Sequence, residues 1–480
     1  MPRLNRCLIL AAAWLAGCAT TIEDRGRSAA AFTERLKAET DAYFADHPEP
    51  LALTDAFALA RARTLRLTAQ DLEARLARTR RAQAFSAFLP DVEASLGRFT
   101  ANGDVTAAPY LRVRDGKDWG DEASVTVTQP VFAPVAWTMF VESNYGVRIA
   151  DLVRERAREL LDVQVAACFY KAAIAERMVE TYRLQLESGE ALVARVAKLA
   201  DEGYALPAEK ARAEARVAAD ALGLRESRNR RDKARSDLCG ILSLWPLAEF
   251  RLNGDSILEI ERVPWHFIDT NGVVRAVSRD ELAAADCAEF VWQGLLQRKD
   301  LYAGDETVNL RKAQVVEALA GFLPNVVLGG GATHLTYGAP SAKGWFGGIA
   351  GTWAAFEGFR SVEAYFAAKA RREAEYQLQE DRMLAVVTSV ADAWRGWRET
   401  EERVRVARKV RAAAALDWSE AQRRYEDGQE TLSRVLDKLA AKDAAEVQAV
   451  SAEYAAALAE VTLRQAMGLR LYEGRSGDEK

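Results

Sequence analysis

The 480-residue chain has few of the residues that usually carry catalysis or metal binding. It contains three histidines, which share no motif spacing, and five cysteines. The three cysteines beyond the N-terminus are far apart and odd in number, so they form neither a disulfide framework nor a zinc motif. We interpret them as buried free thiols, with reactive thiols as the alternative. The sequence also lacks a glycine-rich phosphate loop and the spacing of a nucleophile triad, so we expect no enzyme, no metal site and no cofactor.

The chain also lacks an excess of either charge. Its 65 lysines and arginines nearly balance its 70 aspartates and glutamates, which leaves a net charge of −5. A chain this close to neutral gives no reason to expect nucleic acid as a partner. Hydrophobic residues make up 49% of the sequence and charged residues 28%. This mixture favours long helices with one apolar face.

The N-terminus has the pattern of a secretory signal. Two arginines precede a short apolar run, Leu8–Leu15, which is too short to span a membrane. Residues 15–18 read Leu-Ala-Gly-Cys and resemble the bacterial lipobox, in which the cysteine is lipidated and becomes the first mature residue. The alternative is an ordinary signal peptide with Cys18 near its cleavage site by chance. Ala19, where an aspartate would resemble an inner-membrane retention signal, points to the outer membrane.

One phrase occurs twice in the chain. Residues 84–92 read Ala-Phe-Ser-Ala-Phe-Leu-Pro-Asp-Val, and residues 318–326 read Ala-Leu-Ala-Gly-Phe-Leu-Pro-Asn-Val. Each copy closes a helical pattern and precedes small and β-forming residues. Because proline disfavours the helical conformation of the residue before it, Pro90 and Pro324 are predicted helix-to-strand junctions. Their separation of 234 residues indicates an internal repeat.

Each copy is followed by strand patterns. Residues 91–100 alternate, a polar stretch reaches Asp121, and residues 123–132 alternate again. Val125 and Val127 share one face of this second strand, and threonines and a serine share the other. About ten residues is the length that crosses a bilayer when tilted, although a soluble hairpin is the alternative. In the second half we predict strands over 326–337 and 347–356, joined by a loop over 338–344.

The remaining segments predict very long helices. One helix leads from Thr54 to the first Phe-Leu-Pro phrase and another from Leu301 to the second. Two helices of each half then form a hairpin with a glycine in its turn, at Gly203 and at Gly428. The predicted helices of these hairpins cover residues 137–199, 208–238, 359–424 and 432–467, with terminal glycines at 240 and 468.

These offsets divide the chain into a tandem duplication with additions. We predict a signal peptide over 1–17, a lipidated leader along the outside of the fold over 18–50, and a first repeat over 51–242. An insertion follows over 243–290, in which Ser278 and Glu281 are spaced as a capping box and start a helix that reaches Trp292. The second repeat covers 291–470, and a tail covers 471–480.

The order of these motifs resembles the TolC-like outer membrane efflux protein family. The resemblance covers roughly residues 50–470. Besides the paired Phe-Leu-Pro junctions it rests on further short matches. They are Gln129-Pro130-Val131-Phe132, Arg298-Lys299-Asp300-Leu301, and Tyr425-x-x-Gly428 with Leu436-Asp437.

The resemblance implies a mainly α fold with a transmembrane β-barrel. Each protomer would give four strands and long helical hairpins to a homotrimer, and the twelve strands would close one barrel in the outer membrane. Closure agrees with physics, because a sheet edge in lipid leaves backbone groups unpaired. The implied function is a passive exit duct of a tripartite efflux or secretion system. A periplasmic adaptor protein and an inner membrane transporter would load it.

The resemblance also implies a gate at the second hairpin turn. In the family, rings of carboxylates close the periplasmic end, and a tyrosine and an arginine hold it shut. Tyr425 matches the tyrosine and Asp437 one carboxylate, whereas Arg434 stands at the other carboxylate position and Glu430 at the arginine position. Glu430 and Arg434 are four residues apart and can pair on one helix face. The alternative is that these are ordinary solvated charges.

Two other classes of protein remain as alternatives for the whole chain. One is a periplasmic coiled-coil structural or adaptor lipoprotein, which would have no use for duplicated strand pairs. The other is a periplasmic enzyme, against which the absence of a clustered nucleophile or metal site argues.

Overall fold

The structure is a computed structural model that describes most of the chain. It describes residues 22–100, 103–108, 111–116, 119–202, 206–254, 263–269, 271–337, 341–353 and 356–471. The signal segment, Cys18 and the turn glycine Gly203 lie outside these ranges. Among the described helices, none combines the length and the apolar character needed to cross a membrane.

The chain forms two compact units. The helical unit contains the described residues up to Leu65, those of 158–293 and those from Ser389 onward. The sheet unit contains residues 66–157 and 294–388.

Helices make up most of both units. In chain order they are α1 (Ile22–Asp46), α2 (Leu53–Arg63), α3 (Leu65–Ser86), α4 (Pro134–Asp201), α5 (Pro207–Leu242), α6 (Arg279–Ala284), α7 (Cys287–Gln297), α8 (Lys299–Ala320), α9 (Arg360–Glu426) and α10 (Leu432–Met467). The helices α4 and α5 each begin with a proline, which suits the first helical position because it has no N–H to satisfy. At 67 residues, α9 extends for about 100 Å.

Strands form three separate sheets. They are β1 (Asp91–Thr100), β2 (Gly103–Ala108), β3 (Leu111–Gly116), β4 (Trp119–Phe132), β5 (Trp265–Ile268), β6 (Val274–Val277), β7 (Asn325–Tyr337) and β8 (Ser341–Thr352). The largest sheet is antiparallel with the order β1-β4-β7-β8, and β2–β3 and β5–β6 are two-stranded. The polar stretch between β1 and β4 thus contains a further hairpin, β2–β3. The last strand starts and ends earlier than the predicted 347–356.

The predicted single helix before the first junction is two helices. It breaks at Thr64, whose backbone is extended (φ −68°, ψ 118°). The Thr64 hydroxyl donates a hydrogen bond to the carbonyl oxygen of Ile241 in α5, 3.2 Å away. A contact with a residue so distant along the chain has no local sequence signal.

The leader is more regular than the sequence predicted. Its helix α1 spans 25 residues and is exposed except near its C-terminal end. There Thr40 is fully buried and accepts a hydrogen bond from the backbone N–H of Trp245, at 2.9 Å. Phe44 stacks on Phe250 with ring centroids 5.1 Å apart.

Left-handed residues end three helices. Gly428 (φ 70°) follows α9 and Gly468 (φ 78°) follows α10. At both, backbone bonds of the Schellman type satisfy the last carbonyls. The third helix, α5, runs two residues past Gly240 and uses Ser243 (φ 54°) instead. The prediction of Gly240 as the end of this helix was therefore wrong by two residues.

The insertion packs around an aromatic cluster of the helical unit. Trp265 and Phe290 meet edge to face at 6.1 Å, and both contact the ring of Trp397. The Ser278 side chain caps α6 as predicted, but that helix ends at Ala284. A second helix, α7, follows, so the predicted single helix to Trp292 is broken.

Candidate functional site

The four-stranded sheet has two chemically different faces. Cross-strand partners point to the same side, so the register assigns every side chain to a face. One face, here called the apolar face, carries Val127, Leu96, Trp345 and Ile349 among others. Leu96 is 88% exposed and Trp345 is 84% exposed. Apolar side chains this open to solvent in one protomer mark a surface that another apolar phase covers.

The strands of this sheet are long enough to cross a membrane. They contain 10, 14, 13 and 12 residues in the order β1, β4, β7 and β8. A tilted strand of about 9–11 residues crosses a bilayer. Along β7 the apolar band extends from Val326 to Ala332 and is followed by His334, which pairs with Lys343 of β8.

The opposite face, here called the polar face, is lined by small and acidic residues. Ser95 and Ser124 share a hydrogen bond of 2.7 Å across β1 and β4. The charged side chains of this face, within the described strands, are the carboxylates of Asp91, Glu93 and Glu122. Alternating apolar and polar faces are typical of a barrel with a wet interior.

A glycine allows close packing on the polar face. A Cβ atom at Gly331 would lie 2.7 Å from the carbonyl oxygen of Val125 and 3.0 Å from the ring of Phe346. No side chain fits there, so Phe346 covers the backbone of β7 in its place.

Both outer strands of the sheet have an open edge. The strands β1 and β8 each pair on one side only within the protomer. Such edges are rows of unpaired N–H and C=O groups, which lipid cannot satisfy.

The two predicted junctions lie at the same end of the sheet. Pro90 directly precedes β1 and Pro324 directly precedes β7. Both strands pair antiparallel with β4, so they start from the same end. Asp91, the first residue of β1, pairs with Thr128 of β4, which pairs with Gly329 of β7. Gly329 is four residues after the start of β7, so the starts of β1 and β7 are offset by about 13 Å along the strands.

Aromatic side chains gather at this end. Phe88 contacts Trp137 at 5.6 Å and Phe140 at 6.1 Å between ring centroids. The indole N–H of Trp353 donates to the carbonyl oxygen of Phe322 at 3.1 Å. Exposed aromatic rings at the border of an apolar band are typical of a membrane interface.

The second hairpin turn holds the predicted gate residues. Arg434 Nε lies 3.5 Å from Glu430 Oε2, so the predicted pair forms. Arg434 is in the first turn of α10, whereas Glu430 lies in the hairpin turn before the N-cap Thr431 and not on a helix face. Asp437 is exposed, and Tyr425 is half-buried. Burial, and then the charge of Glu209, raises the pKa of Tyr425.

Sequence reasoning missed a second ion pair at this turn. Arg195 Nη1 of α4 lies 2.5 Å from Glu426 Oε1 of α9, and so links the two hairpins. The two residues are 231 positions apart. Neither belongs to a motif, and only the packing of the hairpins reveals them.

A buried charge network joins the hairpins farther from the turn. Arg216 of α5 binds Asp220 in the same helix at 3.0 Å and Asp443 of α10 at 2.8 Å. Gln185 of α4 donates to the backbone carbonyl of Asp443 at 3.3 Å. Burial raises the pKa of Asp443 to about 6, the charge of Asp220 contributes to this rise, and Arg216 and Lys442 oppose it.

The described residues contain no group of three or more histidine, cysteine or acidic side chains that could hold a metal ion. Burial raises the pKa of the Cys168 and Cys239 thiols, which makes them less reactive.

Comparison with known proteins gives a family match for part of the chain. Residues 292–469 match the family model described as outer membrane efflux protein. The matched segment contains α8, β7, β8, α9 and α10. The resemblance derived from the sequence motifs is thereby confirmed. No curated protein matches the chain.

Solved outer membrane proteins share the fold of nearly the whole chain. The outer-membrane channel OprN superposes with a TM-score of 0.70 at 19% identity, covering 87% of this chain and 90% of that chain. The outer membrane protein VceC from Vibrio cholerae gives 0.68 at 16% identity, with 88% and 97% covered. The outer membrane channel MtrE of Neisseria gonorrhoeae gives 0.67 at 18% identity, with 88% and 89% covered. The predicted fold class, long helical hairpins with four sheet strands in a tandem duplication, is confirmed.

Proposed function

We propose that the chain is one protomer of a trimeric outer membrane channel. The channel is the passive exit duct of a tripartite efflux or secretion system and carries substrates from the periplasm to the exterior. The observation that carries the proposal is the four-stranded sheet, which has an exposed apolar face, a polar face, two open edges and strands long enough to cross a bilayer. The family match of residues 292–469 and the fold shared with the outer membrane channels OprN and MtrE support it.

Closure by other copies satisfies the open edges. The edge of β1 in one protomer pairs with the edge of β8 in the next, and three protomers make twelve strands. A closed barrel leaves no unpaired backbone in lipid. The apolar face then contacts lipid, and the polar face lines the duct.

The partners follow from this placement. A periplasmic adaptor protein and an inner membrane transporter load the duct, while the helices extend into the periplasm. Cys18 carries the lipid that anchors the N-terminus to the outer membrane. Mass spectrometry of the purified protein checks the anchor. The wild type is expected to carry acyl chains and Cys18→Ser to carry none.

A matched pair of variants on one strand tests the channel proposal. Val127 lies on the apolar face near mid-height, and its neighbour Thr126 lies on the polar face. An arginine facing lipid at the midplane costs about 2–4 kcal/mol. Val127→Arg should therefore abolish detergent-stable trimers in outer-membrane fractions. Thr126→Arg should keep the trimer and change its ion selectivity in planar bilayers.

The opposite result would contradict the proposal. One such result is that Val127→Arg forms trimers with wild-type conductance. Another is that Thr126→Arg alone loses the trimer. Either result would mean that the apolar face does not contact lipid. A periplasmic coiled-coil lipoprotein, the alternative for the whole chain, would show neither trimeric pores nor different responses of the two variants.

We further propose that the closed duct is gated at the second hairpin turn. There Asp437 acts with the charge-swapped pair of Glu430 and Arg434, which lie 3.5 Å apart. Asp437→Ala and Glu430→Ala should each raise the single-channel conductance in planar bilayers. Glu399→Ala breaks an exposed pair of the same spacing far from the turn and serves as the control. Unchanged conductance and cation selectivity in both turn variants would refute this gate.

A further inference from the structure

Charged side chains are sorted between the two faces of the sheet. On the apolar face, within the described strands, they are Arg98, Asp121 and Lys343. Lys343 and its partner His334 are in register with Leu96, and Arg98 and Asp121 lie two residues farther out. They lie at the end opposite Pro90 and Pro324. The polar face carries only carboxylates among its described charges. The apolar face therefore places its cations at one membrane border, the border that faces the exterior in the proposed channel.

Each of the two outer strands of the sheet carries one cation near this border. Arg98 follows the exposed Leu96 by two residues on β1, and Lys343 precedes the exposed Trp345 by two residues on β8. On each strand a large apolar side chain thus lies below a cation. This is the order in which acyl chains and charged headgroups occur in a lipid leaflet.

The spacing of the cations fits a headgroup with more than one charge. Arg98 and Lys343 are three strand spacings apart and offset by two residues along the strands, which separates their backbones by about 16 Å. His334 pairs directly with Lys343 across the strands. Arg98 forms a bidentate pair with Asp121, with Nε 2.6 Å from Oδ1 and Nη2 3.2 Å from Oδ2. This pair fixes the guanidinium and leaves its Nη1 donors for another acceptor.

Two shallow depressions lie between these cations. One, of about 630 Å³, is bordered by Leu96, Val125, His334, Lys343 and Trp345. The other, of about 370 Å³, adjoins it and is bordered by Arg98, Asp121 and the same Leu96 and His334. The apolar side chains of both depressions suit acyl chains, and the cations at their border suit phosphate oxygens.

We propose that Arg98, His334 and Lys343 bind the headgroup of a phosphorylated glycolipid in the outer leaflet. A disaccharide headgroup with a phosphate at each end reaches both outer strands, and its acyl chains lie against Leu96 and Trp345. This inference rests on the proposed channel, because only a barrel in the membrane turns the apolar face toward lipid.

Native mass spectrometry of the detergent-purified trimer tests the proposal. Bisphosphorylated lipid A, its monophosphorylated form, phosphatidylglycerol and inorganic phosphate are added separately. The wild type should retain bisphosphorylated lipid A most strongly and the monophosphorylated form less. The double variant Arg98→Gln/Lys343→Gln should bind bisphosphorylated lipid A at least tenfold more weakly, because each cation near a membrane surface contributes roughly a factor of five.

A second double variant controls for net charge. Lys369→Gln/Arg371→Gln removes two exposed cations from α9 of the same unit and should bind as the wild type does. Equal lipid A binding by all three proteins would overturn the proposal. Equal retention of phosphatidylglycerol and lipid A would overturn it as well, since a general anionic surface would then suffice. Trimer mass and conductance report separately on the proposed channel.

Discussion

Replacing Asp443 by asparagine should make the protein more stable at alkaline pH and change its stability least at acid pH. Asp443 is buried between the hairpins, where Arg216 pairs with it and with Asp220. Two carboxylates share one arginine, so the ionised network has an uncompensated negative charge. Asparagine keeps an oxygen that accepts the Arg216 hydrogen bond, and Arg216 keeps Asp220 as its charge partner.

The pKa of Asp443 sets the expected magnitude. Its rise from an ordinary value of 3.8 to about 6 corresponds to about 3 kcal/mol at 1.36 kcal/mol per pKa unit. The folded state binds more protons than the unfolded state between these two values. Stability therefore falls as the pH rises from about 4 to about 6 and then levels off. The asparagine side chain cannot ionise, so the Asp443→Asn variant avoids this loss, although it also gives up the charge attraction to Arg216.

The measurement is thermal melting of the detergent-solubilised protein by circular dichroism at 222 nm, from pH 4.5 to 8. The difference in melting temperature between Asp443→Asn and the wild type should be smallest at pH 4.5. It should rise through pH 6 and become constant by pH 8. Asp417→Asn is the control, because Asp417 is an exposed carboxylate of α9 paired with Lys438 at 2.6 Å.

A second variant tests the stated cause. Asp220→Asn removes the neighbouring negative charge, which lowers the pKa of Asp443. The fall in stability of this variant should therefore occur at a lower pH than in the wild type. The reasoning is refuted if Asp443→Asn and Asp417→Asn show the same pH dependence. It is also refuted if the wild type becomes more stable as the pH rises from 5 to 7 and this increase is absent in Asp443→Asn.

Two further substitutions test tight packing. Gly304→Ala should destabilise the sheet unit by about 1–3 kcal/mol, since its Cβ would lie 1.9 Å from Gln379 Oε1. Gly396→Ala, in open space on α9, should instead raise the melting temperature slightly. Arg464→Met should cost about 3 kcal/mol, because Arg464 is fully buried and its loss leaves the buried Glu460 without its closest cation. Melting temperatures of Gly304→Ala and Arg464→Met equal to that of the wild type would contradict these two expectations, and a lower melting temperature of Gly396→Ala would contradict the third.

The helices and strands were largely predictable, because their signals are local. Proline and glycine punctuation placed the hairpin helices within a few residues, and period-two alternation placed β4. The errors have a shared cause. The break at Thr64 and the strand start at Ser341 each depend on backbone partners supplied by other segments. A pattern read along one segment does not include those partners.

The candidate site was predictable in its parts and not in its connections. The pair of Glu430 and Arg434 was predicted from its spacing of four residues, although Glu430 lies just before the helix. The bridge between Arg195 and Glu426, however, joins residues that share no sequence pattern.

The Phe-Leu-Pro repeat, the strand alternation and the long uninterrupted helices are set by the sequence itself. They depend on backbone preferences and on the periods of helix and strand, which act within one segment. The tertiary structure decided which side chains meet across segments. Strand register assigned Arg98 and Lys343 to the apolar face, and the rotation of α5 against α10 brought Asp443 to Arg216. Those contacts depend on the relative positions of elements far apart in the chain, which the period of a single element does not specify.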